Sequence, residues 1–306
     1  MKITVIGGAG VVGSAAAFHI ATCGLAEEIV LVGRRENVVR HHAIDLGTAV
    51  GALGVKVRAG TYEDASGSAL VINAAGVHQD ITADRHEMLI SNTALVKRVA
   101  GELRRHCPEA IVITATNPVD ALNYATWQVT GFDRRRVIGY SLNDSLRFRE
   151  RVALARGAEI DRVEGWVIGE HGFTQVPLFS SVRIGGQEVS LGENEKQRVR
   201  SEAPAFFARI EALEAGRTMG WTCAVGLAAM ARAIADDTGE VFAGSVVLEG
   251  EYGQRGLSIG VPLRLGRLGV QEIVEWPLAS DEKSAFELSA DQVRRSLQTV
   301  DRSLEE

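Results

Sequence analysis

Short apolar runs recur along roughly the first 140 residues and predict the strands of a sheet. Each run is rich in β-branched residues and is short enough for one strand, and the runs occupy residues 2–6, 28–32, 55–59, 69–76, 110–115 and 136–139. Helical stretches separate several of these runs, and the run at 69–76 is largely apolar, as in parallel strands that are covered on both faces. The alternation predicts a doubly wound parallel sheet.

After residue 142 the pattern becomes that of an α+β unit. Gly185 and Gly186 predict a hairpin turn between two short strands. Helices are expected at residues 143–156, 195–214, 218–236 and 289–304, and strands at residues 163–168, 182–184, 187–189, 241–248 and 256–265. We therefore predict two domains, one spanning residues 1–142 and the other residues 143–306.

A glycine-rich turn joins the first strand to the first helix. Gly7, Gly10 and Gly13 are spaced for a backbone that turns tightly, approaches a pyrophosphate and seats a helix close to the sheet. A helix is expected to follow at residues 14–22, and the unpaired N–H groups at its start can hold phosphates. Val11 and Val12, in the turn itself, are further candidates for cofactor contact. An ordinary turn is the alternative interpretation. With strands on both sides of the helix, the pattern favours a dinucleotide-binding Rossmann domain.

The end of the second strand indicates which dinucleotide is bound. An NAD site usually has an acidic residue there, which accepts a hydrogen bond from the ribose 2′-hydroxyl. Here the position is Gly33, followed by Arg34 and Arg35. Glycine leaves room for a 2′-phosphate and a guanidinium can hold that phosphate with two hydrogen bonds. We predict NADP(H) as the preferred cofactor, with NAD(H) as the alternative; a solvated Arg-Arg turn is the competing interpretation.

Composition narrows the class of protein. The 306 residues are 46% apolar and 24% charged, which is ordinary for a globular protein, and a net charge of −6 without long runs of one sign argues against a nucleic-acid partner. No basic, apolar leader precedes the first strand, and the most apolar helix, residues 221–235, is too short to span a bilayer. Cys23, Cys107 and Cys223 are scattered, so we expect reduced thiols and a cytoplasmic protein.

Four polar residues are candidates for chemistry. Asp144 and Arg147 are spaced to share a helix face, His171 lies between glycines after a strand, and Arg85 ends a polar loop. Taken singly, each has a structural alternative: Asp144 as a helix cap paired with Arg147, His171 as an exposed loop residue and Arg85 as a solvated helix start. No metal site is expected.

In chain order, these residues and the glycine turn resemble one family, the L-lactate/L-malate dehydrogenases. The resemblance covers nearly the whole chain. The matching segments are IGGAGVVG at residues 6–13, AIDL at 43–46, NAAG at 73–76, TNPVD at 116–120, NDSLRFR at 143–149, IGEHG at 168–172 and IGVP at 259–262. The turn at Gly33 and Arg34 is most similar to that of the family's NADP-using malate dehydrogenases.

The resemblance implies a role for each candidate. His171 would be the acid and base that exchanges a proton with the substrate oxygen, and Asp144 would fix its tautomer. Arg147 would bind the substrate carboxylate with two hydrogen bonds. Arg85, on a closing loop, would polarise the carbonyl, and Asn117 would donate a hydrogen bond to the same oxygen.

The resemblance further implies three cofactor contacts after the glycine turn, and it implies that the protein is an oligomer. The contacts come from Ala75, Gly76 and Asn92. Members of the family are usually homodimers or homotetramers, so we expect a homo-oligomer.

Two positions depart from the family. Gln79 occupies the loop position where the malate enzymes place an arginine that pairs with a second carboxylate of the substrate. A protonated His78 could partly substitute for that arginine, and Asp80 and Asp84 add negative charge to the loop.

Trp221 falls where a small residue usually faces the substrate's side chain. It either shrinks the pocket, stacks on an unusual substituent or packs at a helix start. We expect a 2-oxo or 2-hydroxy monocarboxylic acid as substrate. A malate dehydrogenase and a non-catalytic NADPH-binding sensor are the alternatives.

Overall fold

The computed structural model describes residues 1–77, 85–216 and 218–305, with the backbone alone at residues 85, 86, 203, 204 and 207. The strands are β1 (Lys2–Ile6), β2 (Glu28–Val32), β3 (Lys56–Ala59), β4 (Leu70–Asn73), β5 (Ile111–Thr114), β6 (Val137–Tyr140), β7 (Val163–Glu164), β8 (Val167–Ile168), β9 (Val176–Pro177), β10 (Arg183–Ile184), β11 (Gln187–Glu188), β12 (Val241–Glu249), β13 (Arg255–Gly266) and β14 (Gly269–Ile273). The helices are α1 (Val11–Thr22), α2 (Glu36–Val50), α3 (Arg85–His106), α4 (Val119–Thr130), α5 (Leu142–Arg156), α6 (Glu193–Glu211), α7 (Trp221–Asp236) and α8 (Ser280–Glu305).

The first six strands form a parallel sheet in the order β3-β2-β1-β4-β5-β6. Ile3 on the central strand β1 pairs with Ile29 of β2 on one side and with Leu70 of β4 on the other, and all three side chains are fully buried. The chain order reverses between β1 and β4, which leaves a crevice at the carboxyl ends of these strands. The doubly wound fold predicted from the sequence is confirmed.

Three antiparallel strands from the second half extend the same sheet. β12 joins the edge strand β6 through Gly244 with Tyr140 and Ser245 with Gly139, and β13 and β14 follow outward. The remaining short strands form two small sheets, including the hairpin predicted at Gly185. The second half is therefore α+β as expected, but the continuation of its strands into the first sheet was not predicted.

Helix α4 is the main element that the sequence pattern did not predict. No helix was predicted specifically between the apolar runs at residues 110–115 and 136–139, yet residues 119–130 are helical. Nine of these twelve residues are buried. Four of the buried residues, Asp120, Asn123, Thr126 and Thr130, are polar, so they interrupt the apolar pattern by which a buried helix is recognised in a sequence.

Helices α1 and α7 start side by side, which brings the second half of the chain onto the glycine turn. A Cβ atom on Gly220, just before α7, would lie 2.8 Å from Cγ1 and 2.9 Å from the carbonyl oxygen of Val11. Only glycine fits this contact without displacing the backbone of α1. Among the described residues, no helix is both long and apolar enough to cross a membrane.

Candidate active site

The turn between β1 and α1 has the geometry of a phosphate cradle. Gly7 has φ +77° and its missing Cβ would lie 2.7 Å from the backbone of Ala74 at the end of β4. A Cβ on Gly13 would lie 2.3 Å from the carbonyl oxygen of Gly7, so glycine is required at both positions. This close packing brings the start of α1 to the crevice in the sheet.

The first turn of α1 can bind an anion. Gly10 caps the helix without a side chain, and the first helical hydrogen bond runs from Ser14 N to Gly10 O at 2.9 Å. The preceding N–H groups of Val11, Val12 and Gly13 have no acceptor within the helix. Together with the helix dipole, these groups fit the pyrophosphate of a dinucleotide.

Gly33, Arg34 and Arg35 lie exposed between β2 and α2, where the adenosine ribose of a dinucleotide is held in this fold. Within the described ranges neither guanidinium has an ion-pair partner, and the nearby Glu36 pairs with Arg40 at 2.7 Å. A Cβ on Gly33 would lie 2.9 Å from Cγ2 of Val39. The turn thus combines two exposed guanidinium groups with a position where any side chain larger than that of glycine would crowd Val39.

Ala75, Gly76 and Asn92 form the opposite edge of the crevice. Gly76 is exposed, and the carbonyl oxygen of Ala75 accepts a 2.7 Å hydrogen bond from the Thr116 hydroxyl. The Asn92 side chain is 4% exposed; its oxygen accepts from Val77 N at 2.9 Å and its nitrogen donates to Asn117 O at 3.0 Å. Asn92 therefore braces the exits of β4 and β5 against each other.

His171 and Asp144 form a buried pair. Nδ1 of His171 lies 2.6 Å from Oδ2 of Asp144, and the two side chains are 16% and 7% exposed. Asp144 lies in the first turn of α5, where the helix dipole favours a carboxylate. Because Nδ1 is engaged, Nε2 is the ring nitrogen that can exchange a proton with a substrate.

The surroundings of His171 favour its protonated form. Burial lowers the pKa of the imidazole, but the charge and hydrogen bond of Asp144 and the charge of Asp120 outweigh burial and the opposing charge of Arg147. The pKa of His171 is therefore raised above 6.5. An imidazolium held in this way can donate a proton near neutral pH.

Arg147 lies one turn after Asp144 on α5. Its Nη1 donates to Oδ1 of Asp144 at 3.3 Å, and its guanidinium carbon lies 5.4 Å from the ring centre of Phe206 on α6. The spacing of Asp144 and Arg147 in the sequence predicts their contact, whereas nothing in the sequence relates Arg147 on α5 to Phe206 on α6. Both contacts restrict the orientation of the guanidinium.

Side chains of β6 and α7 hold the start of α5 in place. The hydroxyl of Tyr140 donates to Oδ1 of Asn143 at 2.6 Å, and Nδ2 of Asn143 donates to Sγ of Cys223 at 3.1 Å. A Cβ on Gly226 would lie 2.0 Å from the Tyr140 oxygen, so α7 packs directly on this network. The residue beside Asp144 is therefore tied to the start of α7.

A cavity of about 1520 Å³ connects the site residues. Asn117, Asp144, His171 and Trp221 all line it, and Val11 lies at its cofactor end. The Trp221 side chain is 80% exposed, so it does not pack at the helix start. The cavity brings residues of both halves of the chain to one space.

Some predicted positions lie outside the described residues. Gln79, with His78, Asp80 and Asp84, falls in the segment 78–84, and Arg85 is the first residue of α3 with only its backbone described. Their predicted roles in substrate selection and carbonyl polarisation stay predictions.

Family models match nearly the whole chain. Residues 1–139 match the model described as lactate/malate dehydrogenase, NAD binding domain, and residues 142–303 match lactate/malate dehydrogenase, alpha/beta C-terminal domain. The chain is 35% identical over 296 residues to a malate dehydrogenase of Haloarcula marismortui, covering 95% of this chain and 97% of that protein. It is 34% identical over 296 residues to an L-lactate dehydrogenase of Bacillus licheniformis, covering 94% and 93%.

Solved structures show the same similarity. The malate dehydrogenase from Aeropyrum pernix superposes with a TM-score of 0.90 at 32% identity, covering 97% of each chain. The minor L-lactate dehydrogenase from Enterococcus mundtii gives a TM-score of 0.91 at 29% identity, covering 98% of each chain. Proteins named for either substrate therefore match this chain about equally well.

Proposed function

The chain belongs to the lactate/malate dehydrogenase family, and from this premise we propose that it interconverts a 2-oxo monocarboxylic acid and the corresponding L-2-hydroxy acid, with NADP(H) preferred over NAD(H). As a member of this family it is an NAD(P)-dependent 2-hydroxy acid dehydrogenase that acts on a CH–OH group. The proposal concerns the substrate, the preferred cofactor and the residues that carry the reaction.

One observation carries the assignment of the catalytic residues. The His171–Asp144 pair, with 2.6 Å between Nδ1 and Oδ2, lines the same cavity as Asn117 and the start of α1. A protein that only bound the nucleotide would not need a buried imidazole held in one tautomer, nor a guanidinium held beside it. The arrangement supports an enzyme over a nucleotide sensor.

Each residue then has a defined part in the reaction. A bound nicotinamide supplies or accepts the hydride. His171 donates its Nε2 proton to the oxygen of the 2-oxo acid during reduction and takes it back during oxidation. Asp144 keeps Nδ1 as the hydrogen-bonded nitrogen, and Arg147 binds the substrate carboxylate with two hydrogen bonds.

Two further groups act on the substrate carbonyl in this proposal. Asn117, exposed on the wall of the cavity, donates a hydrogen bond to the substrate oxygen. Arg85 polarises the same carbonyl bond. Both contributions stabilise the negative charge that develops on this oxygen as the hydride is transferred.

The preference for NADP(H) is supported by the turn after β2. Arg34 and Arg35 are exposed beside Gly33 and are not engaged in ion pairs within the described chain. A carboxylate at position 33, as in NAD-specific sites, would repel the 2′-phosphate, whereas glycine does not.

The choice of a monocarboxylic acid is supported by Gln79. A neutral amide leaves the second carboxylate of oxaloacetate unpaired, at a cost of about 1 to 3 kcal/mol. Oxaloacetate and L-malate are the second candidate pair, favoured by the names of several relatives and by the NADP-type turn.

We also propose that the protein is a homo-oligomer located in the cytoplasm. In this proposal its two domains span residues 1–142 and 143–306. α1 and α7 pack together and carry exposed apolar side chains: Phe18 is 46%, Val225 54% and Trp221 80% exposed. Burial of such side chains against a second copy is a common basis of dimers.

The location in the cytoplasm is supported by the three cysteines, which are all free and therefore favour a reducing compartment.

The decisive experiment measures NADPH oxidation with a panel of 2-oxo acids. The panel contains pyruvate, oxaloacetate, and branched and aromatic 2-oxo acids, each also tested with NADH. We expect turnover with a monocarboxylic member and a higher kcat/KM with NADPH than with NADH. Binding of NADPH without turnover of any member would instead support the sensor, and the highest kcat/KM with oxaloacetate would support a malate dehydrogenase.

A further inference from the structure

We propose that Asp120 is a positioning residue for the acid–base step, since it anchors the backbone of His171 and places a second buried carboxylate near the imidazole. This role rests on the proposed function of His171, although part of its test does not require turnover.

The geometry of the anchor is direct. Asp120 is the second residue of α4 and is 4% exposed. Its Oδ2 accepts a 2.7 Å hydrogen bond from the backbone N–H of His171. The start of a helix favours a carboxylate, so α4 stabilises Asp120 in the charged form that accepts this bond most strongly.

A neutral anchor holds the neighbouring amide of the same loop. The Oγ of Ser289 on α8 accepts from the N–H of Glu170 at 2.7 Å, and Ser289 is fully buried. Gly169, which precedes these residues, exchanges backbone hydrogen bonds with Gly260 of β13 at 2.8 and 3.1 Å. The loop that carries His171 is therefore fixed at three successive residues, and Asp120 is the charged member of the three anchors.

The charge of Asp120 adds to that of Asp144. Of the charged groups whose interactions with His171 are described, Asp144 and Asp120 favour the imidazolium and Arg147 disfavours it. Glu170, in the same loop, acts on Asp120 by raising its pKa. Asp144 and Arg147 come from α5 and Asp120 from α4, so carboxylates of two different helices act on the charge of the His171 ring.

The pKa of Asp120 lies close to the pH range in which a histidine titrates. Burial raises the pKa of Asp120 to about 6, against the opposing effects of its hydrogen bonds and of His171. Asp120 is therefore charged at neutral pH and loses its charge in mildly acidic solution.

Two substitutions separate charge from anchoring. Asp120→Asn keeps the size of the side chain and an oxygen that can accept from His171 N, but it removes the charge. Ser289→Ala removes a hydrogen bond to the adjacent amide without changing any charge. If Asp120 acts through its charge, only the first substitution alters the protonation of His171.

The test is an NMR titration of the His171 ring in the free protein, which has seven histidines. The His171 signal is assigned by comparison with His171→Asn. We expect a lower pKa for His171 in Asp120→Asn than in the wild type, and an unchanged value in Ser289→Ala. Since no substrate or cofactor is needed, this readout is independent of the proposed activity.

Steady-state kinetics provide the second readout. For reduction of the best 2-oxo acid, kcat/KM in Asp120→Asn should begin to fall at a lower pH than in the wild type. Ser289→Ala should lower kcat by about three- to tenfold at all pH values, the effect of losing one hydrogen bond, without moving the pH profile. NADPH binding should be the same in all three proteins.

The proposal is overturned if folded Asp120→Asn shows the wild-type titration of His171. Should that variant not fold, the Asp120 carboxyl carbon of the wild type is titrated by carbon-13 NMR. Titration near pH 6 that also shifts the His171 ring signal supports the proposal, and titration that leaves the ring signal unchanged overturns it. Absence of turnover with every 2-oxo acid would overturn the proposed function while leaving both titrations interpretable.

Discussion

Oδ2 of Asp144 lies 2.6 Å from Nδ1 of His171, and the pKa of the imidazole is raised as a result, despite its burial. A proton donor with a raised pKa is active below that pKa and loses activity as the pH rises through it. We therefore expect kcat/KM for 2-oxo acid reduction to fall at a pH above 6.5, and kcat/KM for oxidation to rise over the same range. This pH dependence is measured by initial rates of reduction and of oxidation between about pH 5 and 10, a range wide enough to include the titration of a histidine.

Asp144→Asn tests whether the charge of Asp144 is what raises the pKa of His171. The amide keeps the shape of the side chain but has no charge to favour the imidazolium. The pH at which reduction falls should move lower, and kcat should fall at all pH values because the tautomer is no longer fixed. An unchanged pH profile in this variant would assign the profile to another group.

Removal of the His171 imidazole should abolish most of the turnover but should leave NADPH binding intact. In His171→Asn we expect kcat to fall by about two to four powers of ten, which is the usual contribution of general acid–base catalysis. NADPH binding, followed by its fluorescence, should be retained. His106→Asn, at the far end of α3, is the control and should behave as the wild type. Near-normal turnover in His171→Asn would place the proton donor elsewhere.

Arg147→Lys tests whether the guanidinium geometry matters beyond its charge. Lysine keeps the positive charge but loses the two parallel hydrogen bonds to the substrate and the contact of the guanidinium with the Phe206 ring. We expect the KM for the 2-oxo acid to rise about 10- to 100-fold, the range for lost hydrogen bonds to a charged group. The dissociation constant of NADPH should not change.

Arg151→Lys is a suitable control for that measurement. Arg151 lies one turn further along α5 and lines the cavity that contains Asp144 and His171, and no ion pair joins it to Asp144 among the described residues. Its substitution should leave the KM near the wild-type value. An unchanged KM in Arg147→Lys would mean that charge alone holds the substrate, and an equal rise in both variants would mean that the effect is not specific to Arg147.

The dinucleotide fold could be predicted from the sequence because its determinants are local. The strand at residues 2–6 and the glycines at 7, 10 and 13 are adjacent in the chain, and their alternation with helices specifies a parallel sheet. The structure adds why Gly13 must be glycine, since its Cβ would lie 2.3 Å from Gly7 O.

Contacts between distant elements could not be predicted in the same way. Asp120 was noted in the sequence only as the last residue of the matching segment TNPVD, yet its Oδ2 lies 2.7 Å from the backbone nitrogen of His171, 51 residues away. Ser289 and Phe206 were not identified, because an ordinary serine or phenylalanine carries no signal of its partner. The continuation of β12 into the sheet was likewise missed, since strand pairing depends on contacts across the chain.

Gly33→Asp tests the cofactor preference. Aspartate would repel a 2′-phosphate and accept a hydrogen bond from a 2′-hydroxyl, so the ratio of kcat/KM for NADPH to that for NADH should fall about tenfold or more. Gly33→Ala is the necessary control, because any Cβ there lies 2.9 Å from Val39 Cγ2. A loss of preference in both variants would point to packing, and an unchanged ratio in Gly33→Asp would remove the argument for a phosphate site.

Trp221 tests how the cavity selects a substrate. It follows Gly220, which packs on Val11, and its exposed indole lines the cavity. If the indole contacts the substrate's side chain, Trp221→Ala should change the ratio of kcat/KM between pyruvate and an aromatic 2-oxo acid by about tenfold or more, the usual effect of reshaping an apolar pocket. Val225→Ala, one turn along the same face of α7, should leave that ratio unchanged. An unaltered ratio in Trp221→Ala would show that the indole does not contact the substrate, and a change in the oligomeric state of both variants would assign this face to subunit contacts.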